Sequence, residues 1–200
     1  FHSDPTDRVG LFCVQKAKVG GLSSIASSTA VYNEILARRP QALDCLFRGF
    51  HYSLRGEASG GIGQVTEYRV PIFDYFAGKL SSRYVRKTIE QAAAIGGVPL
   101  SEEESAALDL LDSLVKSDEL RFDMSFEPGD IQYLNNHVSF HSRTGFEDDP
   151  DPRKRRHLMR VWLQSADARP LSPVMSRPHG ARSPFLSREQ ALEREGQATA

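Results

Sequence analysis

The chain reads as a mainly β fold with inserted helices. Three observations predict this: short β-branched and aromatic runs recur between turn residues, two helical stretches carry apolar residues at three- and four-residue spacing, and a Pro-Gly-Asp turn separates the later strands. Val9 to Gln15 forms a buried strand, and the Gly20-Gly21 turn brings Ser23 back toward the start of the chain. Ser27 to Arg39 is a helix with Val31, Ile35 and Leu36 at helical spacing, ended by Pro40, and Gln41 to Phe47 is a shorter second helix. Phe50 to Arg55 and Tyr68 to Phe73 are strand-like, joined by Gly56 to Gly63. That loop lacks the Lys-Ser/Thr ending and following helix of a phosphate cradle, so it reads as a flexible connection, with a lid as a secondary expectation.

Ser101-Glu102-Glu103-Glu104 is a capping box, and Leu108, Leu111, Leu114 and Val115 form the apolar stripe of the packing helix behind it. Leu120 to Phe126, Ile131 to Leu134 and His157 to Leu163 supply further strands. Beyond Gln164 the chain turns Pro-, Arg- and Ser-rich. The expected organisation is therefore a domain over 1–164 and a loosely ordered C-terminal tail over 165–200, with a short helix from Ser187. Many short strands with inserted helices fit a double-stranded β-helix, the jelly roll.

Composition bounds the function. Two hundred residues with 40% hydrophobic content can bury a sizeable core, and a net charge of -1 provides no collective field for nucleic acid or an anionic membrane. Cys13 and Cys45 are too few for a disulfide framework or a zinc site, and Cys13, inside the apolar run Val9 to Val14, reads as core. A reducing cytoplasmic compartment is the default expectation. No apolar run approaches the ~20 residues needed to span a bilayer. Because the chain opens with Phe1, almost on its first motif, we expect a fragment whose N-terminal part, with any targeting signal, is missing. Loss of strands would leave an edge open and predicts poor solubility.

The most informative residues are His2-Ser3-Asp4, read together with the stretch from Pro128 to Arg143. An extended segment places His2 and Asp4 on one face while Ser3 points away. His141, at the end of a predicted strand after the Pro128-Gly129-Asp130 turn, is the best candidate for a third ligand. His-X-Asp alone is usually a solvated turn. Two imidazoles and one carboxylate, however, are the ligand set of a non-haem iron centre, leaving three adjacent positions free: two to chelate a 2-oxo acid and one for O2.

In the β-prone run Arg155 to Leu163, parity puts Arg156, Leu158, Arg160 and Trp162 on one face. If that face is interior, two guanidinium groups point inward and need an anion, for which a dicarboxylate is the natural partner. A surface patch paired with Glu147, Asp148, Asp149 and Asp151 is the better reading for Arg153, Lys154 and Arg155.

The ordered set of His2-X-Asp4, Gly20-Gly21-Leu22-Ser23, Pro128-Gly129-Asp130, Asn136 before His141, and Arg156-X-X-X-Arg160 resembles the taurine dioxygenase-like (TauD/TfdA) family, from His2 through about Leu163. The resemblance implies a cupin-like jelly roll, here lacking its N-terminal part, and a dioxygenase that uses Fe(II), 2-oxoglutarate and O2. His2, Asp4 and His141 would bind iron. Arg156, helped by the Ser23 hydroxyl where members often carry Thr, would hold the distal carboxylate of 2-oxoglutarate. Arg160 matches a position that contacts either an anionic substrate group or the co-substrate. His137 stands where members often have Arg; strand parity does not separate it from His141, and only the motif match favours His141. Related halogenases replace the carboxylate of Asp4 with a small residue, so its presence implies hydroxylation of a small organic molecule, with release of succinate and CO2. Two alternatives stand beside this reading. One is a non-catalytic protein that binds a small carboxylate on the same barrel. The other is a cupin-type metal enzyme that does not use 2-oxoglutarate.

Overall fold

Antiparallel pairing around two short strands organises the molecule. A computed structural model describes residues 1–54, 65–96 and 98–176. The order along the chain is β1 (Arg8–Gln15), β2 (Val19–Gly20), β3 (Ser23–Ser27), α1 (Ser28–Arg38), α2 (Ala42–Arg48), β4 (Phe73–Phe76), β5 (Lys79–Ser82), α3 (Arg86–Gly96), α4 (Glu102–Val115), β6 (Arg121–Met124), β7 (Ile131–Asn135), β8 (Ser139–Arg143), β9 (Phe146–Glu147), β10 (His157–Leu163) and α5 (Pro173–Ser176). One sheet runs β10-β1-β7 and a second runs β6-β3-β8, with two-stranded ribbons β2-β9 and β4-β5. The architecture is mainly β with inserted helices, and the described strands do not close a barrel.

Alternation gives each sheet two different faces. In the β10-β1-β7 sheet, Val9 is paired with Trp162 and Leu134, and Leu11 with Arg160 and Gln132. Val9, Cys13, Gln132 and Leu134 on this face are buried, whereas Phe12, Ile131, Tyr133, Met159 and Val161 on the other are exposed. In the β6-β3-β8 sheet, Ala26 lies opposite Phe140 and both belong to the main core, with Val31 and Ile35 of α1, Leu43 and Leu46 of α2, and Leu108, Leu111 and Leu114 of α4. The opposite face carries Ser23, Ile25, His141 and Arg143. Hydrogen bonds tie it to the first sheet: Ser23 Oγ donates to Gln132 Oε1 (3.2 Å), and Gln132 Nε2 reaches Met124 Sδ (2.8 Å). The hydrophobic core therefore lies between the second sheet and the helices, and polar side chains are left in the space between the sheets.

Local rules account for most elements. Ser27 caps α1 by accepting from the Ala30 N–H (3.3 Å), Val31 and Ile35 point into the core, and the helix ends before Pro40; Leu36 stays exposed. Both halves of the Ser101/Glu104 capping box form (3.1 and 3.0 Å). At Gly20, φ is +74° and a Cβ would stand 2.4 Å from the Gly145 carbonyl oxygen, so the turn before β3 requires glycine.

Three regions differ from expectation. Among the described residues the strand-like runs Phe50 to Arg55 and Tyr68 to Phe73 meet through one isolated bridge, Phe50 with Val70, a second joins Ser53 to Val65, and regular pairing begins in the β4-β5 hairpin. That hairpin turns on Ala77 (φ +48°) and Gly78 (φ +74°), which lack the Asn-Gly or Asp-Gly signature of such turns. Helix α3 is also additional to the elements read from sequence; its Gln-Ala-Ala-Ala run favours a helix, and it buries Thr88, Ile89 and Ala92 on one face. Residues 165–176, at the start of the expected tail, run back over the body: Arg169 donates to Ser81 Oγ and the Leu80 carbonyl, and Met175 is buried in the core. The Gly56 to Gly63 loop, Arg55 and the helix expected from Ser187 lie outside the described residues.

Candidate metal centre

The arm before β1 is an added strand. His2 donates its N–H to the His141 carbonyl (2.9 Å) and accepts from the His141 N–H (2.8 Å), while its other side bridges Val85. Extended geometry then does what parity required. Ser3 turns away, its Oγ accepting from the Tyr84 N–H (3.1 Å), and His2 and Asp4 face His141. Ligand atoms of His2, Asp4 and His141 all lie within 4.8 Å of one another. Nε2 of His2 is 3.9 Å from Asp4 Oδ1, and Nε2 of His141 is 3.6 Å from Asp4 Oδ2.

The electrostatics suit a cation. Burial, and then the neighbouring His141, push the His2 imidazole down to about 4, so it is neutral at pH 7, the form that ligates. Burial raises the Asp4 carboxyl, but the hydrogen bond and charge of His141, with His2 and Arg160, outweigh it and hold the group below the usual carboxylate range. His141 Nδ1 is buried without a hydrogen-bond partner. Two imidazoles, a carboxylate and an unpartnered buried ring nitrogen fit a divalent transition metal, with the remaining coordination positions open to ligands.

Further groups steady the arm. Trp162 Nε1 donates to Asp4 Oδ2 (3.2 Å) from the inward face of β10. Asn136, buried between β7 and β8, accepts from the Asp4 N–H (3.1 Å) and donates to the Thr6 carbonyl (3.0 Å). His137 is separated from the ligand cluster by its bonding. It lies in the turn after β7, where Nε2 donates to Asp7 Oδ1 (3.0 Å), while Asp7 Oδ2 accepts from the Ser165 N–H (3.0 Å). Strand parity failed to distinguish the two histidines because His137 is not in a strand. Neither Asp7 nor the Trp162 bond had a signal in the sequence beyond the inward face assigned to Trp162.

The arginines are placed differently from one another. Arg160 Nη1 is 4.0 Å from Asp4 Oδ1 and its guanidinium stacks over Trp162 (5.0 Å), but its side chain is 55% exposed. The expected burial of this cation is thus corrected: the face it lies on is inward but open. Arg156 sits one residue before β10, half-buried, with its N–H on Asp148 Oδ1 (2.7 Å). Its guanidinium lies 5.2 Å from the Phe146 ring, and Arg143 lies 4.4 Å from the same ring. Burial and then the charge of Arg143 lower the Arg156 pKa. A Cβ on Gly21 would come 3.3 Å from Arg156 Nε, so glycine leaves room for the guanidinium. Arg153 pairs with Asp151 on the surface (3.0 Å), as expected.

Comparison with known proteins gives the family and the fold. The family model described as "Taurine catabolism dioxygenase TauD, TfdA family" matches residues 1–162. FR-33289 synthase of Streptomyces rubellomurinus is 33% identical over 179 residues, covering 88% of this chain and 52% of that protein. A uridine-5'-phosphate dioxygenase of a Streptomyces species is 27% identical, covering 80% and 57%. Among solved structures, asparagine oxygenase in complex with Fe(II), 3-hydroxyasparagine and succinate superposes with a TM-score of 0.63 at 19% identity over 82% of this chain and 49% of the other, a likeness of fold. The chain spans about half the length of the curated relatives it matches. No helix among the described residues is long and apolar enough to cross a membrane.

Proposed function

This chain belongs to the TauD/TfdA family of Fe(II)- and 2-oxoglutarate-dependent dioxygenases, and from that premise we propose that it hydroxylates a small organic substrate with release of succinate and CO2. The observation that carries the reading is the convergence of His2, Asp4 and His141, two imidazoles and a carboxylate from distant parts of the chain, on one point between the sheets. In this reading the two facing sheets are the halves of a double-stranded β-helix, and residues 1–164, with the segment to Ser176 packed on them, form its domain.

His2, Asp4 and His141 hold the iron. When bound, iron and 2-oxoglutarate supply the oxidising power that places one atom of O2 on an unreactive C–H carbon. The protein's own part is orientation and electrostatics. Asp4 contributes a carboxylate kept ionised by its neighbours and aimed by Trp162 and Asn136. Arg156, helped by the Ser23 hydroxyl, binds the distal carboxylate of 2-oxoglutarate; support comes from two guanidinium groups sharing one aromatic ring without an ion pair to either among the described residues. Arg160, beside Asp4, meets an anionic group at the metal side of the pocket.

Anaerobic titration with Fe(II) and then 2-oxoglutarate tests the reading. A visible metal-to-ligand charge-transfer band is expected, lost in the His141→Ala variant. A folded protein that binds Fe(II) and shows no band on adding 2-oxoglutarate would refute it.

A further inference from the structure

Arg83 is a buried cation without an acid among the described residues. It lies in the extended stretch between β5 and α3 and is 9% exposed. Its backbone is satisfied: the N–H donates to the Ile72 carbonyl (2.9 Å), and its carbonyl accepts from the Tyr52 hydroxyl (3.2 Å). The side chain is not, because Nη1 is buried with no hydrogen-bond partner. Among the described residues its electrostatic neighbours are the phenols of Tyr52 and Tyr68 rather than carboxylates. Arg69 and Arg86, which are only partly buried, behave differently. Arg69 pairs with Glu104, and Arg86 pairs with Glu90, Asp109 and Asp112.

The stretch also fixes which way Arg83 points. Ser82 Oγ bonds the His137 carbonyl and the Tyr84 hydroxyl bonds Asp112, so alternation puts Arg83 and Val85 on the opposite side of the strand from these two, with Tyr52, Tyr68 and Val85 all packed at the edge of the same core. Val85 is the residue bridged to His2. Two residues of extended chain separate Arg83 from that bridge, about 7 Å along the strip that carries the metal arm. The Tyr52 hydroxyl spans the gap, touching the backbone of both Arg83 and Val85.

A guanidinium does not shed its proton at neutral pH, so burial without a partner leaves a charge uncompensated. Binding sites retain such costs when a ligand supplies the missing partner. We propose that Arg83 docks an oxyanion of the substrate, a carboxylate or a phosphate-type group, and so fixes the substrate's position relative to the His2-Asp4-His141 group. The substrate role rests on the dioxygenase reading; the anion site itself does not.

The test uses the 200-residue chain and its Arg83→Met and Arg83→Gln variants. Inorganic phosphate, methylphosphonate and acetate serve as probes, read by thermal midpoint and by perturbation of the anaerobic Fe(II)-2-oxoglutarate band. The expected result is that at least one probe raises the wild-type midpoint and perturbs the band, and that either variant weakens this response at least ten-fold. Arg83→Met should also melt higher than wild type without anions and form the band at the same 2-oxoglutarate concentration. Stronger action of phosphate and methylphosphonate than of acetate assigns a phosphate-type group, and the reverse assigns a carboxylate. Unchanged anion response in the variants overturns the proposal. So does a loss confined to 2-oxoglutarate binding, which would make Arg83 a co-substrate group. If Arg83→Met fails to fold, Arg83→Gln, which keeps polarity and removes the charge, carries the same comparison. Anion binding through Arg83 without any 2-oxoglutarate band would leave the anion site standing and reject the dioxygenase reading instead.

Discussion

Replacing Asp7 with Asn tests how the arm that carries His2 and Asp4 is fastened to the body. Asp7 and His137 are largely buried, with side chains 18% and 6% exposed, and join at 3.0 Å. The second carboxylate oxygen accepts the Ser165 N–H at 3.0 Å, linking the arm to the segment after β10. Asn keeps the shape and one acceptor but loses the charge that strengthens both bonds. Hydrogen bonds to a charged group contribute about 1.5–3 kcal/mol each, and partial retention by Asn sets the expected loss at roughly 2–3 kcal/mol at pH 7. For a domain of this size that is a fall in Tm of roughly 5–10 °C.

The pH dependence gives the test a second dimension. Burial raises the Asp7 carboxyl, but the His137 and Ser165 bonds outweigh it, so its folded pKa lies below the usual range. A depressed folded pKa contributes stability that is complete above the unfolded value of about 3.9 and is lost as pH falls through the folded value. Urea denaturation of wild type and Asp7→Asn from pH 7 to pH 3 should therefore show a full difference near neutrality that shrinks below about pH 4. A difference under about 0.5 kcal/mol at pH 7, or one independent of pH, would refute the clamp. A double-mutant cycle with His137→Gln should return a coupling of at least about 1 kcal/mol.

Other perturbations probe the remaining layers. Asn136→Ala leaves the Asp4 N–H and Thr6 carbonyl unpaired in a buried place, and should cost about 2–4 kcal/mol in denaturant melts while weakening Fe(II) binding at least ten-fold. Arg156→Ala should raise the 2-oxoglutarate concentration needed for the visible band by roughly ten-fold or more, and Ser23→Ala by less; equal affinity in Arg156→Ala would remove it from the co-substrate site. Leu111→Ala, fully buried in the helical core, should lose about 3 kcal/mol in stability with the Fe(II) affinity of the folded protein retained. Fe(II) at one hundred times its Kd should add about 2.7 kcal/mol to stability, a gain that calorimetry should find abolished by a chelator and absent from the His141→Ala variant.

The sequence by itself determined those features that depend on neighbours along the chain. Strand periodicity set β1 and β10, caps and apolar spacing set α1 and α4, and the two-residue spacing of His2 and Asp4 put both on one face, since each follows from backbone geometry within a few residues. A third residue for the proposed metal group was legible as a motif, although local parity left His137 equal to His141. Tertiary structure decided between them, by placing His137 in a turn against Asp7, 130 positions away. The same holds for the openness of the face carrying Arg160, the Trp162 bond to Asp4, the turn on Ala77-Gly78 and the lone charge of Arg83. Burial and pairing of a side chain are set by segments distant in sequence that pack against it, and no pattern within its own segment encodes them.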